Sequence, residues 1–242
     1  MIVTIVRLTF RSVLNRRRSI LMLLLALSPV LIAILIRVAG RSADPVRLER
    51  NLLDGLVVRT VLPLVALVLG TGALGSELED GTAVYHLTKP IPRWKIAVAK
   101  LMAAGGLTAA LVAPAALVTG LLVAGDQGGG AGIAFAYAAA TVFGSFMYAG
   151  VFLAVSLATG RALIIGLSYT LLWEGLLAGL FAGSRSFSIR EYTIGIAGMV
   201  DPVGVRPPLD PATTVVGTVT VLVVGFALAT RWLAGFQIRS AD

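Results

Sequence analysis

"SILMLLLALSPVLIAILIRV", residues 19–38, is a long apolar run entered through "NRRR" and broken only at its far end by Arg37. A helix needs roughly 20 apolar residues to cross the ~30 Å hydrocarbon core of a bilayer, and this run has that length. It exceeds the roughly 7–15 apolar residues of a cleaved secretory signal, so it reads as a retained span. Outward from it the chain offers five more such runs, at 56–75, 96–124, 131–158, 162–182 and 213–236. The fourth and fifth runs meet at "TGRA", which leaves room only for a tight turn.

The composition agrees with that reading. Of 242 residues 57% are hydrophobic and only 13% charged, and the mean hydropathy is +0.93. A soluble domain carries about a quarter charged residues; this chain has too much hydrocarbon for one aqueous core. The absence of cysteine excludes disulfides and thiolate metal sites. A single histidine and scattered carboxylates leave little for a metal cage or a catalytic triad. The net charge of +8 sits at the ends of the apolar runs, which fits loop asymmetry across a membrane and not a nucleic-acid face. The arginine-rich, Ala/Gly/Val-rich usage points to a GC-rich bacterial genome.

With the N-terminus inside, twelve of the twenty Lys and Arg residues fall on the cytoplasmic side, including "NRRR" and "KPIPRWK", and eight fall outside. Both termini are therefore expected in the cytoplasm. Residues 1–18 place Arg7, Arg11 and Arg18 at helical spacing, with Ile2, Ile5, Val6 and Phe10 opposite, as in a basic amphipathic helix lying in the interface. The whole reads as one all-α polytopic membrane domain over 1–242. It has six spans, a cytoplasmic loop at 76–95 and a polar-mixed outer segment at 183–212.

"GTGALG" (Gly70 to Gly75) matches the dinucleotide-binding fingerprint in letters, but it lies inside an apolar run instead of a strand–turn–helix unit. Small residues there serve close helix packing. A nucleotide P-loop needs Lys followed by Ser or Thr, and the three lysines precede Pro90, Ile96 and Leu101. Any ATP must be bound elsewhere. Glu174, with Tyr169 and Trp173 nearby, sits about twelve residues into the fifth run. A carboxylate at that depth costs a few kcal/mol and faces a partner or a polar path; an interhelix clamp and a translocation path both fit. Arg59 can snorkel to the surface from the outer end of the second run.

The densest charge is "SELEDGTAVYHLTKPIPRWKIAVAK", residues 76–100. Glu77, Glu79 and Asp80 stand at its entrance, with Ser76 a candidate helix N-cap. Pro90 and Pro92 stiffen its exit, Trp94 anchors at the interface, and Lys95 and Lys100 are expected at the inner headgroups. The order of acidic cluster, Gly-Thr, short apolar piece and basic-Pro-x-x-Arg resembles permeases of the ABC-2 type, the small six-span kind similar to the NosY group. "RALIIGLSYTLLWEGLLAGL" (Arg161 to Leu180) is similar to the fifth span of those permeases.

The resemblance implies the fold of the ABC-2 (type V) exporters and no enzymatic activity in this chain. It implies a permease subunit of the bacterial plasma membrane that pairs with an identical or sister permease and docks on separate ABC ATPase subunits, which hold ATP and Mg. It also implies that the 76–95 loop couples to the ATPase, through Glu77, Glu79, Asp80, Gly81, Thr82, Tyr85, His86, Lys89, Pro90, Arg93 and Lys100. The apolar spans suggest a hydrophobic or amphipathic substrate. Two other classes compete. One is an ion-driven transporter with Glu174 as proton carrier; the other is a membrane scaffold or assembly factor.

Overall fold

A computed structural model describes residues 16–39, 44–79, 92–125, 130–177 and 182–235. The interfacial helix expected over 1–18 falls almost wholly outside these residues. So do Asp80, Gly81, Thr82, Tyr85, His86, Lys89 and Pro90 of the coupling loop. The described residues are helical with no strand. The elements are α1 (Arg16–Val38), α2 (Pro45–Leu52), a π-helical stretch π1 (Leu53–Val61), α3 (Leu62–Glu79), α4 (Arg93–Ala124) and α5 (Ala131–Ala158). There follow α6 (Ala162–Ser168), a second π-helical stretch π2 (Tyr169–Leu177), a 3-10 turn (Ala182–Phe187), α7 (Ile189–Val200) and α8 (Pro211–Gly235).

Among the described residues, five helices are long and apolar enough to cross a membrane: Ile20–Val38, Pro45–Gly72, Arg93–Ala124, Ala131–Ala158 and Pro211–Leu233. Of the fifth apolar run, Ala162–Gly175 is a shorter apolar helix, and residues 178–181 of the run lie outside the described residues. The second run is longer than expected. Helix continues from Pro45 through π1 to Glu79 without a break, so Ser76 lies within a helix instead of capping one.

Local sequence explains where the helices begin and end. Both α2 and α8 open on Asp-Pro. Asp44 accepts the Arg47 amide at 3.0 Å, and Asp210 accepts the Thr213 amide at 2.9 Å and its hydroxyl at 2.6 Å. Each aspartate satisfies an orphan N–H of the first turn, and proline at the first helical position lacks the N–H that would be left over. The Thr213 hydrogen bonds hold the exposed Asp210 carboxyl below the ordinary aspartate range. At the other extreme, α4 stops where Gly125 takes φ 57, a backbone conformation that L side chains avoid.

Helix α5 is the hub. It packs against α3, α4, α6, α7 and α8, most extensively against its hairpin partner α4. Its buried face combines small residues (Ala134, Ala136, Ala140, Gly144) with Tyr137, Met147, Tyr148 and Phe152. Small residues let helices approach where no water is present to drive association. Gly70 of α3 shows this: a Cβ there would stand 3.0 Å from the Phe152 Cβ. A Cβ on Gly72, the next glycine of the fingerprint-like run, would meet nothing within 4 Å.

Two contacts set the relative direction of the helices. The Arg37 guanidinium donates to the Leu122 carbonyl at 3.3 Å, which pairs the C-terminal ends of α1 and α4. The Arg93 guanidinium donates to the Leu233 carbonyl, which pairs the start of α4 with the end of α8. The described ends of the chain therefore share one end of the bundle with Arg93, the start of α4. Helix α2 lies at the opposite end, and α7 reaches from there, where Asp201 faces Gly132, to the middle of α5, where Thr193 faces Gly144.

Candidate functional site

About midway along α5, near Gly144 and Tyr148, two carboxylates, one from each π-helical stretch, meet the first turn of α7. The start of α7 is written in "SIRE", residues 188–191. Ser188 is the N-cap, and its hydroxyl accepts the Glu191 amide at 3.4 Å. This Ser-x-x-Glu spacing is a helix-start signature that the sequence analysis did not pick up.

Glu174 of π2 is 1% exposed. One carboxylate oxygen accepts the Tyr169 hydroxyl at 3.1 Å and the Ile189 amide at 3.0 Å; the other accepts the Tyr148 hydroxyl from α5. The carboxylate thus takes an orphan N–H at a helix N-terminus, where the helix dipole favours negative charge. It also ties α5, π2 and α7 together. One residue earlier, the Trp173 indole N–H donates to the Phe187 carbonyl at 3.3 Å. All three residues singled out in the fifth run therefore serve the entrance to α7, Tyr169 and Glu174 through the shared carboxylate and Trp173 through the preceding turn. The Tyr192 hydroxyl adds a bond to the Ser186 carbonyl.

Asp54 of π1 supplies the second carboxylate. The Arg190 guanidinium grips it with Nη2 at 2.9 and 3.0 Å from the two oxygens and with Nε at 3.3 Å. Such forked pairing adds geometric specificity to the Coulomb attraction. Arg190 also reaches Glu191 at 3.5 Å. Burial works to lower the Arg190 pKa, but Asp54 and Glu191 outweigh it and the net direction is upward. Glu191 is pushed up chiefly by burial, against the opposing pull of Arg190.

The two π-helical stretches also touch directly. Arg59 of π1, which is exposed, donates to the Gly175 carbonyl of π2. A cleft of about 380 Å³ lies beside this contact, with Thr60, Leu64, Thr170 and Leu171 in its walls. π-Helical turns are rare and recur at functional sites, because they shift register within an otherwise regular helix. Here each stretch presents one carboxylate, Asp54 or Glu174, to the same small helix.

Several sequence expectations change. The polar-mixed outer segment 183–212 contains α7, whose Ile189, Tyr192, Ile194 and Ala197 are buried against the bundle, while "SIRE" is used up in caps and ion pairs. Glu174 is not the single deep carboxylate. Glu49 of α2 is fully buried, with neither oxygen hydrogen-bonded. It fits because Gly120 and Gly130 have no side chains; a Cβ on Gly130 would fall 2.2 Å from its Oε2. Lys100 is 2% exposed within α4 instead of lying at the headgroups. Among the coupling residues, Glu77 and Glu79 end α3 and Arg93 begins α4. Tyr148, Arg190 and Asp54 were not among the expected site residues. Their pairing spans up to 136 positions, and no local pattern encodes it.

No group of three or more metal-binding side chains occurs among the described residues. The chain matches the family described as "ABC-2 family transporter protein" over residues 10–233. No curated protein matches it.

Proposed function

The chain belongs to the ABC-2 family of transporter proteins, and on that premise we propose that it is the permease subunit of an ATP-binding cassette exporter. In this reading two copies, identical or sister, assemble in a bacterial plasma membrane and dock on separate ATPase subunits. The ATPases hold ATP and Mg, since no lysine of this chain has P-loop context. The cargo is hydrophobic or amphipathic, in keeping with the apolar spans.

The observation that carries the proposal is positional. Glu79, the last residue of α3, and Arg93, the first of α4, flank the sequence expected to couple, and Arg93 lies at the end shared with the start of α1 and the finish of α8. An ATPase docked there would push on the foot of one helix that runs unbroken from Glu79 back to Pro45. That helix carries Asp54, which the Arg190 guanidinium of α7 grips. ATP-driven closure would thus be felt as a shift of the α7 clamp. Substrate must bind the two resulting states with different affinity, or hydrolysis moves nothing.

An ion-driven transporter using Glu174 as proton carrier finds less support, because that carboxylate is already engaged by two hydroxyls and an amide. Co-purification with an ATPase and loss of transport on ATP depletion test the main reading. Transport that survives depletion, with no ATPase recovered, would overturn it. Arg93 also ties α4 to α8, so loop docking is better probed with Gly81→Pro and Lys89→Glu. The expected result is lost ATPase recruitment with an unchanged thermal melt; normal recruitment would remove the loop from the coupling role.

A further inference from the structure

We propose that a groove between α5 and α8 holds one acyl chain of an anionic phospholipid, from the leaflet that faces the two described ends of the chain. The proposal rests on the transporter reading only for the placement of these helices in a bilayer.

The groove is about 230 Å³, walled by Val151, Ala154 and Val155 of α5 and by Val221, Val224 and Leu228 of α8. Thr220 stands at one end and Trp232 at the other. It exists because the helices touch backbone to backbone beside it. A Cβ on Gly225 would lie 3.2 Å from the Gly150 carbonyl carbon, so the larger side chains on either side form walls and leave a trough. From Thr220 to Trp232 is twelve residues, about 18 Å of helix. That is a little over half of the ~30 Å hydrocarbon thickness, the depth of one leaflet. The groove occupies the C-terminal half of α8 (Pro211–Gly235), the half nearest Arg93, the start of α4.

Charge selects the occupant. Arg231 follows Leu228 by three positions, which prolongs the same helix stripe, and it is exposed. Trp232, at the groove's end, suits the headgroup level, where aromatic rings anchor. Arg93 adds a second guanidinium at this level through the Leu233 carbonyl, and Lys95 stands over the half-exposed Trp94 ring at 5.5 Å. Glu77 and Glu79, at the same end, belong to α3. The helices packed on α8 are α4, α5 and α7. An apolar trough one leaflet deep, ending in arginine and tryptophan, matches an acyl chain below a negative phosphate. Basic pockets between spans bind anionic headgroups by the same physics.

The test uses the full chain in vesicles of equimolar phosphatidylcholine and phosphatidylglycerol. The protein is then extracted in mild detergent, and its retained lipid is counted by native mass spectrometry. Wild type should retain phosphatidylglycerol in preference to phosphatidylcholine. Arg231→Gln should reduce that preference about fivefold, the worth of one cation near the headgroups. Val155→Phe should reduce retention of both lipids by filling the trough. If Val155→Phe does not fold, Thr220→Leu is read in its place, because it narrows the groove from α8 without touching the glycine contact. Equal retention of the two lipids, no effect of Arg231→Gln, or no effect of the filling variant would overturn the site. So would a lipid-free dimer that Val155→Phe dissociates, which would make the groove an interface between copies. No ATPase enters the experiment, so its failure is separate from any failure of ATPase docking.

Discussion

Replacing Glu174 with alanine removes one carboxylate and strands three donors. Two of them have nowhere else to turn: Tyr148 is 0% and Ile189 3% exposed. The Tyr169 hydroxyl is only part-buried and can re-pair. A buried donor left unsatisfied costs about 1–3 kcal/mol, whereas measured interhelical hydrogen bonds in membranes average ~0.6 and reach ~1.7 kcal/mol. Taking about 1–2 kcal/mol for each stranded donor gives a loss of roughly 2–4 kcal/mol, or about 5–15 °C in melting temperature for a chain of this size. Glu174→Gln keeps one carbonyl acceptor and should lose about half as much. Trp173, bonded to the Phe187 carbonyl, reports the same joint, so thermal unfolding in detergent is followed by tryptophan fluorescence. Amide exchange over 187–192 should quicken in parallel. Tyr148→Phe combined with Glu174→Ala should cost less than the two single losses added, because the stranded hydroxyl is gone. An alanine variant within about 0.5 kcal/mol of wild type, the usual range for inert surface sites, would refute the clamp. Strict additivity in the cycle would refute the Tyr148 contact.

The second clamp predicts a parallel result. Asp54→Asn and Arg190→Gln should each destabilise by about 1–3 kcal/mol, since each leaves a charge partly buried without its partner. The double variant Asp54→Asn/Arg190→Gln should recover part of that loss, measured in the same melts. Gly120→Ala would put a Cβ 2.5 Å from the Ala134 Cβ. Overpacking there should cost about 1–3 kcal/mol, read as a lower melting temperature. Gly106→Ala in the same helix meets nothing within 4 Å and should be neutral or stabilising by about 0.5–1 kcal/mol.

Much of the fold was legible because lipid imposes so few solutions. A segment that cannot hydrogen-bond to solvent must close its own backbone bonds as a helix, so long apolar runs declare helices wherever they occur. The run at 131–158 has the same bounds as α5, and the helix starts at Asp44-Pro45 and Asp210-Pro211 follow from capping chemistry within a few residues. Glu174 stood out in the sequence for the same reason: a carboxylate in an apolar run needs a partner. The identity of those partners was not legible. Tyr148 lies 26 residues upstream and Arg190 meets Asp54 across 136, and such pairings depend on how helices cross, which no local period encodes. The same holds for Glu49. Its residue type and its position between apolar runs suggested an outer loop, yet two glycines on α4 and just before α5 open a buried seat for it.

The amino-acid order alone determined that this chain is a bundle of membrane helices, because hydrophobic length and backbone satisfaction are properties of single segments. It also determined, through the lysine contexts, that the given sequence holds no Gly-Lys-Ser/Thr segment of a P-loop. Tertiary structure alone decided what the charged residues do. Register shifts in π1 and π2 bring Asp54 and Glu174 to one helix start, and close glycine contacts decide which carboxylates are buried and where a groove remains. Those outcomes depend on distances between segments, and in a low-dielectric interior a polar group is tolerated only where its partner or its glycine seat is within reach.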